Sequence, residues 1–100
     1  MKKSTAYTKE EAREMMLDHI RVMCEYWARE DRRPDIKDKL NGLAFSILTM
    51  LDGETMELPA MDIVLRPHPD DKAYHQSNGE KWFKDGMVIN DAPLHELFYK

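Results

Sequence analysis

The residues of this chain that could do chemistry gather after its midpoint. His68-Pro69-Asp70-Asp71 places an imidazole and two carboxylates within four positions, and His75 lies four residues beyond Asp71. Imidazole and carboxylate are ordinary zinc ligands. The group falls where an apolar segment, Ile63-Val64-Leu65, ends, and the C-terminal edge of a strand is a usual place for a site. His68, Asp70, Asp71 and His75 therefore define a candidate zinc-dependent hydrolase centre. The competing expectation is a polar loop in which Pro fixes the chain and Asp caps a turn. Of the other histidines, His19 falls on a helix stripe and His95 stands beside Glu96, and no recognised ligand spacing joins them.

Other catalytic arrangements are missing from the sequence. There is no Gly-rich phosphate loop and no nucleophile elbow. Ser46 lies within an apolar helical run, where its hydroxyl is expected to bond a carbonyl one turn back. The carboxylates Glu54, Glu57 and Asp62 show no pairing that would separate their acidities. Cys24 is the single cysteine, which excludes an internal disulfide and a cysteine-based metal site and fits a reducing compartment.

The net charge of −4 argues against a general nucleic-acid binder. Residues 1–40 carry ten Lys/Arg against nine Asp/Glu, and residues 41–100 carry five against ten. Arg29, Arg32 and Arg33 are the basic cluster, diluted by Glu30 and Asp31. The first residues have the charge of a signal peptide without an apolar segment behind it, and no run approaches the ~20 apolar residues that span a bilayer. The expectation is a cytoplasmic protein without a membrane segment, and the chain's length of 100 residues predicts one domain.

The elements that must position these residues are organised around Leu40–Gly53. Leu40, Leu43, Ala44, Ile47, Leu48 and Leu51 recur at helical spacing, with Asp52-Gly53 as the stop. Phe45 and Met50 fall off that stripe and widen the apolar face, which makes them candidate contacts for a partner. Before it, residues 1–7 read as a flexible arm. Thr8-Lys9-Glu10-Glu11 matches a capping box, and Ala12, Met16, His19, Ile20, Met23 and Trp27 predict a helix over 9–29, widened by Met15, Cys24 and Tyr26. Pro34 or Asp35 opens the second helix. The two form an antiparallel helical hairpin over 8–53, with Gly42 reserved for close approach of Trp27 or Met23.

Residues 60–100 read as a strand, a β-hairpin and a C-terminal helix. Met61–Leu65 is a short strand ended by Pro67 and Pro69. Lys81–Lys84 and Met87–Asn90 flank Asp85-Gly86, the signature of a type I′ hairpin turn. Trp82 and Phe83 face opposite sides of their strand, so one of them, with Trp82 the candidate, is left for a partner. Asp91 caps a short helix carrying Leu94, Leu97 and Phe98. The expected fold is α+β: a helical hairpin on a small, mostly antiparallel three-stranded sheet.

Two resemblances follow from these residues. Leu43–Leu48 with Leu51-Asp52-Gly53-Glu54 and Leu58-Pro59, Pro67–Lys72 with Gly79–Trp82, and Leu94–Phe98 resemble a small, uncharacterised bacterial and phage-encoded single-domain family, over about residues 36–99. That resemblance implies bacterial or phage origin and no particular activity. Ile63–Asp71 looks like the first motif of the zinc N-deacetylases acting on N-acetylglucosaminyl compounds. The match implies zinc held by His68 and Asp71 with Asp70 as general base. Lys72 stands where those enzymes have Glu, and no later His-x-x-His follows. The wide apolar faces, mixed charge and eight methionines favour a non-catalytic protein-interaction module, binding itself or another protein, over the hydrolase.

Overall fold

The computed structural model describes residues 4–32 and 35–99, so the first three residues of the predicted arm over 1–7, and Arg33 and Pro34 before the second helix, lie outside the described residues. The element order is α1 (Lys9–Ala28), α2 (Ile36–Leu51), α3 (Asp71–Ser77) and α4 (Leu94–Leu97). Helix α1 starts where its capping box lies. The Thr8 amide donates to Glu11 Oε1 at 2.9 Å and the Glu11 amide to Thr8 Oγ1 at 3.1 Å, so two otherwise orphaned amides are satisfied. Helix α2 is capped by Asp35, whose Oδ1 accepts from the Lys37 amide at 2.7 Å. It ends in a Schellman turn: Glu54 N–H donates to Thr49 O and Gly53 N–H to Met50 O, both at 3.1 Å. Gly53 takes φ +81° there, which a side chain would oppose.

Helices α1 and α2 run antiparallel, with Lys39 Nζ donating to Ala28 O at 3.2 Å near the connector that joins them. Gly42 is buried beneath Trp27, and a Cβ at Gly42 would overlap the Trp27 six-membered ring. Trp27 Nε1 donates to Ser46 Oγ at 2.9 Å one turn further along, so the Ser46 hydroxyl serves the other helix. Met23, Met50 and Leu58 are the buried apolar residues, with Met16, Ile20, Leu43, Ile47 and Leu51 packed round them. Leu58 reaches this core from the loop after α2, which Met61 N–H ties to Leu51 O at 2.9 Å.

The α+β expectation is overturned. Among the described residues there is no sheet; the helices are joined by irregular chain with one isolated antiparallel bridge, Val64 to Val88. The predicted hairpin fails at its turn. A type I′ turn needs positive φ at both central residues, but Gly86 alone has it, at +80°, and Asp85 does not. The segment Met87–Ile89 therefore turns away from Lys81–Lys84 and lies beside Ile63–Leu65, with Leu65 N–H to Met87 O and Ile89 N–H to Ile63 O, both at 3.0 Å. That pairing stops at one bridge because a side chain replaces the next backbone partner. Asn90 Oδ1 accepts from Ile63 N–H at 2.8 Å, and Asn90 Nδ2 donates to Met61 O at 2.6 Å. Between the two paired segments, Asp71–Ser77 forms α3.

The resulting molecule is thin and open. Its radius of gyration is 18.1 Å over extents of 52 × 49 × 21 Å, whereas a compact chain of this length has about 13 Å. Helix α2 packs on α1 and α4, and α3 packs on no other described helix. The Gly42 contact supplies a direct test. Gly42→Ala gains about 1 kcal/mol of helix propensity, but overpacking against Trp27 costs about 1–3 kcal/mol. The expected outcome is a lower thermal midpoint for Gly42→Ala, with part of the loss recovered in Gly42→Ala/Trp27→Leu; an unchanged or raised midpoint in the single variant contradicts this packing.

Candidate functional site

The His68-Pro69-Asp70-Asp71 segment is the helical start of α3. The Asp71 carboxylate accepts from the His68 amide at 3.2 Å, while His68 Nδ1 accepts from the Asp70 amide at 3.2 Å. Asp71 N–H also donates to His68 O at 3.0 Å. These bonds brace the turn that leads into α3, whose N-cap, Asp70, makes no side-chain capping bond. Pro69 stands where a helix start tolerates a missing amide, and the two aspartates complement the N-terminal dipole. His75 lies at the other end of α3, with Nδ1 3.3 Å from Glu80 Oε1.

His68, Asp70, Asp71 and His75 are therefore not brought together as a ligand set. Among the described residues no group of three or more His, Cys, Asp or Glu is arranged to hold a metal ion. Nor does a strand present the motif: the expected strand edge is a single bridge at Val64. The residues present do not fit the zinc centre that the N-deacetylase resemblance implies.

The polar pair that the fold does assemble is Asp52 with His95, forty-three residues apart. Asp52 Oδ2 accepts from the His95 amide at 2.9 Å and lies 2.6 Å from His95 Nδ1. The two side chains are 5% and 17% exposed. Burial pushes the Asp52 carboxyl up, but the hydrogen bonds from the His95 amide, the His95 ring and the Leu94 amide outweigh it and hold it below its ordinary value. The ionised carboxylate fixes the proton on His95 Nδ1. The ring packs edge-on against Phe45, centroids 5.6 Å apart, and Tyr99 stacks on the other side of Phe45 at 5.5 Å. This carboxylate–imidazole pair joins α4 to the end of α2. The sequence reading took Asp52 as part of a helix stop and noted His95 only as standing beside Glu96. No local spacing signals a contact made only by the folded chain.

Of the candidate partner contacts, Met50 is 1% exposed and sits at the centre of the core, where no partner reaches it. Phe45 is half-buried between His95 and Tyr99. Trp82 is exposed, with Lys72 Nζ 4.4 Å above its ring. The larger apolar exposure lies elsewhere: Val22 and Tyr26 on α1 are 65% and 53% exposed, Ile36 and Leu40 on α2 are 74% and 60%. A groove of ≈ 400 Å³ runs between the helices, lined by His19, Val22, Met23, Tyr26, Trp27, Phe45, Ser46, Thr49 and Thr55. The Thr55 hydroxyl is buried there without a hydrogen-bond partner. At the end of α1, Glu30 accepts from Arg32 Nε and Nη2, both at 3.0 Å, and from Tyr26 Oη at 3.1 Å. Arg32 thereby pulls the Glu30 carboxyl down to about 2. The basic cluster is thus partly spent within the chain.

No described helix is long and apolar enough to cross a membrane. No family model, curated protein or solved structure matches the chain.

The two depressed carboxyls set the pH response. Each stabilises the fold fully above its ordinary value, 4.5 for Glu30 and 3.8 for Asp52, and that contribution is lost as pH falls toward the lower folded-state value. Urea unfolding of Asp52→Ala is expected to show a loss of about 1–3 kcal/mol at pH 7, the cost of leaving buried partners unpaired. The gap to the parent chain narrows once the pH is well below 3.8. A gap independent of pH contradicts the ionised pair.

Proposed function

We propose that this chain is a non-catalytic protein-interaction module whose apolar surface is covered by a protein partner. One observation carries the reading. The accessible surface is 8528 Å², whereas a compact monomer of 11.8 kDa exposes about 5,900 Å². The excess, about 2,600 Å² on one partner, corresponds to about 5,200 Å² over two, the upper end of what obligate protein interfaces bury. Much of it is apolar, from Val22, Tyr26, Ile36 and Leu40 on the hairpin to Phe83, Met87 and Ile89 beyond it. Apolar exposure on this scale marks interaction surfaces. The hydrolase reading has no comparable support, since His68 and Asp71 brace the turn before α3 and His75 lies against Glu80. In this proposal the bacterial and phage-encoded relatives suggested by the sequence would share the binding role.

Dye binding and light scattering on the isolated chain test it. The expected result is strong fluorescence enhancement of an apolar dye at neutral pH and a low unfolding free energy. A partner protein, or a second copy at high concentration, then suppresses the dye signal and raises the melting temperature. A monodisperse monomer that binds no dye and unfolds cooperatively with more than about 5 kcal/mol of stability contradicts the proposal.

A further inference from the structure

Helix α1 carries two apolar seams, each spaced by four, three and four residues, the spacing that meshes one helix with another. Met16, Ile20, Met23 and Trp27 form the first, which packs on α2 and the core. Met15, His19, Val22 and Tyr26 form the second, one residue behind it round the helix. Met15 and His19 on this second seam are half-buried, Met15 against the core, whereas Val22 and Tyr26 are 65% and 53% exposed and no other described helix packs over them. The groove beside this seam continues along α1 in both directions, past Met15 and Glu57 at one end and past Arg29 and Asp31 at the other.

The rim of that continuous groove is acidic. Its two ends are lined by Asp18, Glu25, Glu30, Asp31 and Glu57 against one cation, Arg29. Arg21 pairs with Asp18 at 2.6 Å and Arg32 with Glu30 at 3.0 Å, which still leaves three carboxylates against Arg29. A second α1 laid antiparallel in the groove would bring Asp18 and Glu25 of one copy beside the same residues of the other, and like charges at a helix seam oppose pairing. A helix with Lys or Arg on the edges of its apolar face meets the seam and the rim together.

We infer that the open α1 seam and its groove dock a basic amphipathic helix of a partner protein. This rests on the interaction-module reading and names its partner's chemistry. The helix lies along α1 with its apolar residues against Met15, His19, Val22 and Tyr26. Its flanking cations face Glu25, Asp31 and Glu57.

The test uses the full chain and two synthetic helices of about 18 residues, long enough to follow most of α1. Both carry the same leucine seam; one has lysine flanks, the other glutamate flanks. Fluorescence anisotropy reads the binding. The lysine-flanked helix is expected to bind at least about tenfold more tightly than the other, and added salt weakens it. Val22→Glu is expected to lose about tenfold or more although it adds negative charge, while Tyr74→Glu, on an exposed position of α3 away from the groove, changes binding little. Far-ultraviolet circular dichroism checks that both variants keep their helices. Equal binding of the two peptides, or binding retained in Val22→Glu, overturns the inference, because attraction is then not through the seam. A dimer that Val22→Glu dissociates overturns the named occupant while leaving the interaction reading in place. A monomer that binds neither peptide and no apolar dye overturns both.

Discussion

The contact of Trp27 with Gly42 governs what the rest of the chain can do. An indole laid on a glycine brings two helices together more closely than any side chain there would allow, and the bond from Trp27 Nε1 to Ser46 fixes the ring's rotation. Once that is set, the α1 seam through Ile20 and Met23 must face α2, and Met50 is driven inside. The neighbouring seam through Val22 and Tyr26 is turned outward by the same rotation. Core formation and surface exposure are here two results of one packing choice.

Beyond the hairpin, polar side chains do the work that a sheet was expected to do. Asn90 stands in for a strand at Ile63 and Met61, Asp52 holds the start of α4 through His95, and His68 with Asp71 closes the start of α3. Each satisfies backbone amides or carbonyls that irregular chain would otherwise leave unpaired. Such joints order the segment without burying much apolar area, which is why Phe83, Met87 and Ile89 remain in contact with solvent.

The helical half was legible from sequence because its signals are local. The Thr8–Glu11 box, the Asp35 cap, the Gly53 stop and the apolar periodicity each act over a few residues, and each is found where it was read. Gly42 was legible as a close-approach site because a helix gains nothing from glycine otherwise. The second half was not, because Asp85-Gly86 permits a tight hairpin but does not compel one, and alternation over four residues does not say which segment a strand will meet. The His68 motif misled for a related reason: residues that ligate metal also brace turns, and only the geometry of Asp70 and Asp71 distinguishes the two. Asp52 with His95 carried no signal at all, since neither residue is distinctive without the other. Val22 escaped notice because it lies between the stripe residues Ile20 and Met23 and shows its seam only once the first is occupied.

The central claim is that the chain by itself leaves a surface meant for another protein. Small-angle X-ray scattering coupled to size exclusion measures this most directly, since it gives dimensions and molar mass from one peak. The account predicts a single-chain mass with a radius of gyration close to 18.1 Å. A single-chain mass with a radius near the ~13 Å of a compact domain of this length would contradict it, because the exposed seams would then be closed within the chain.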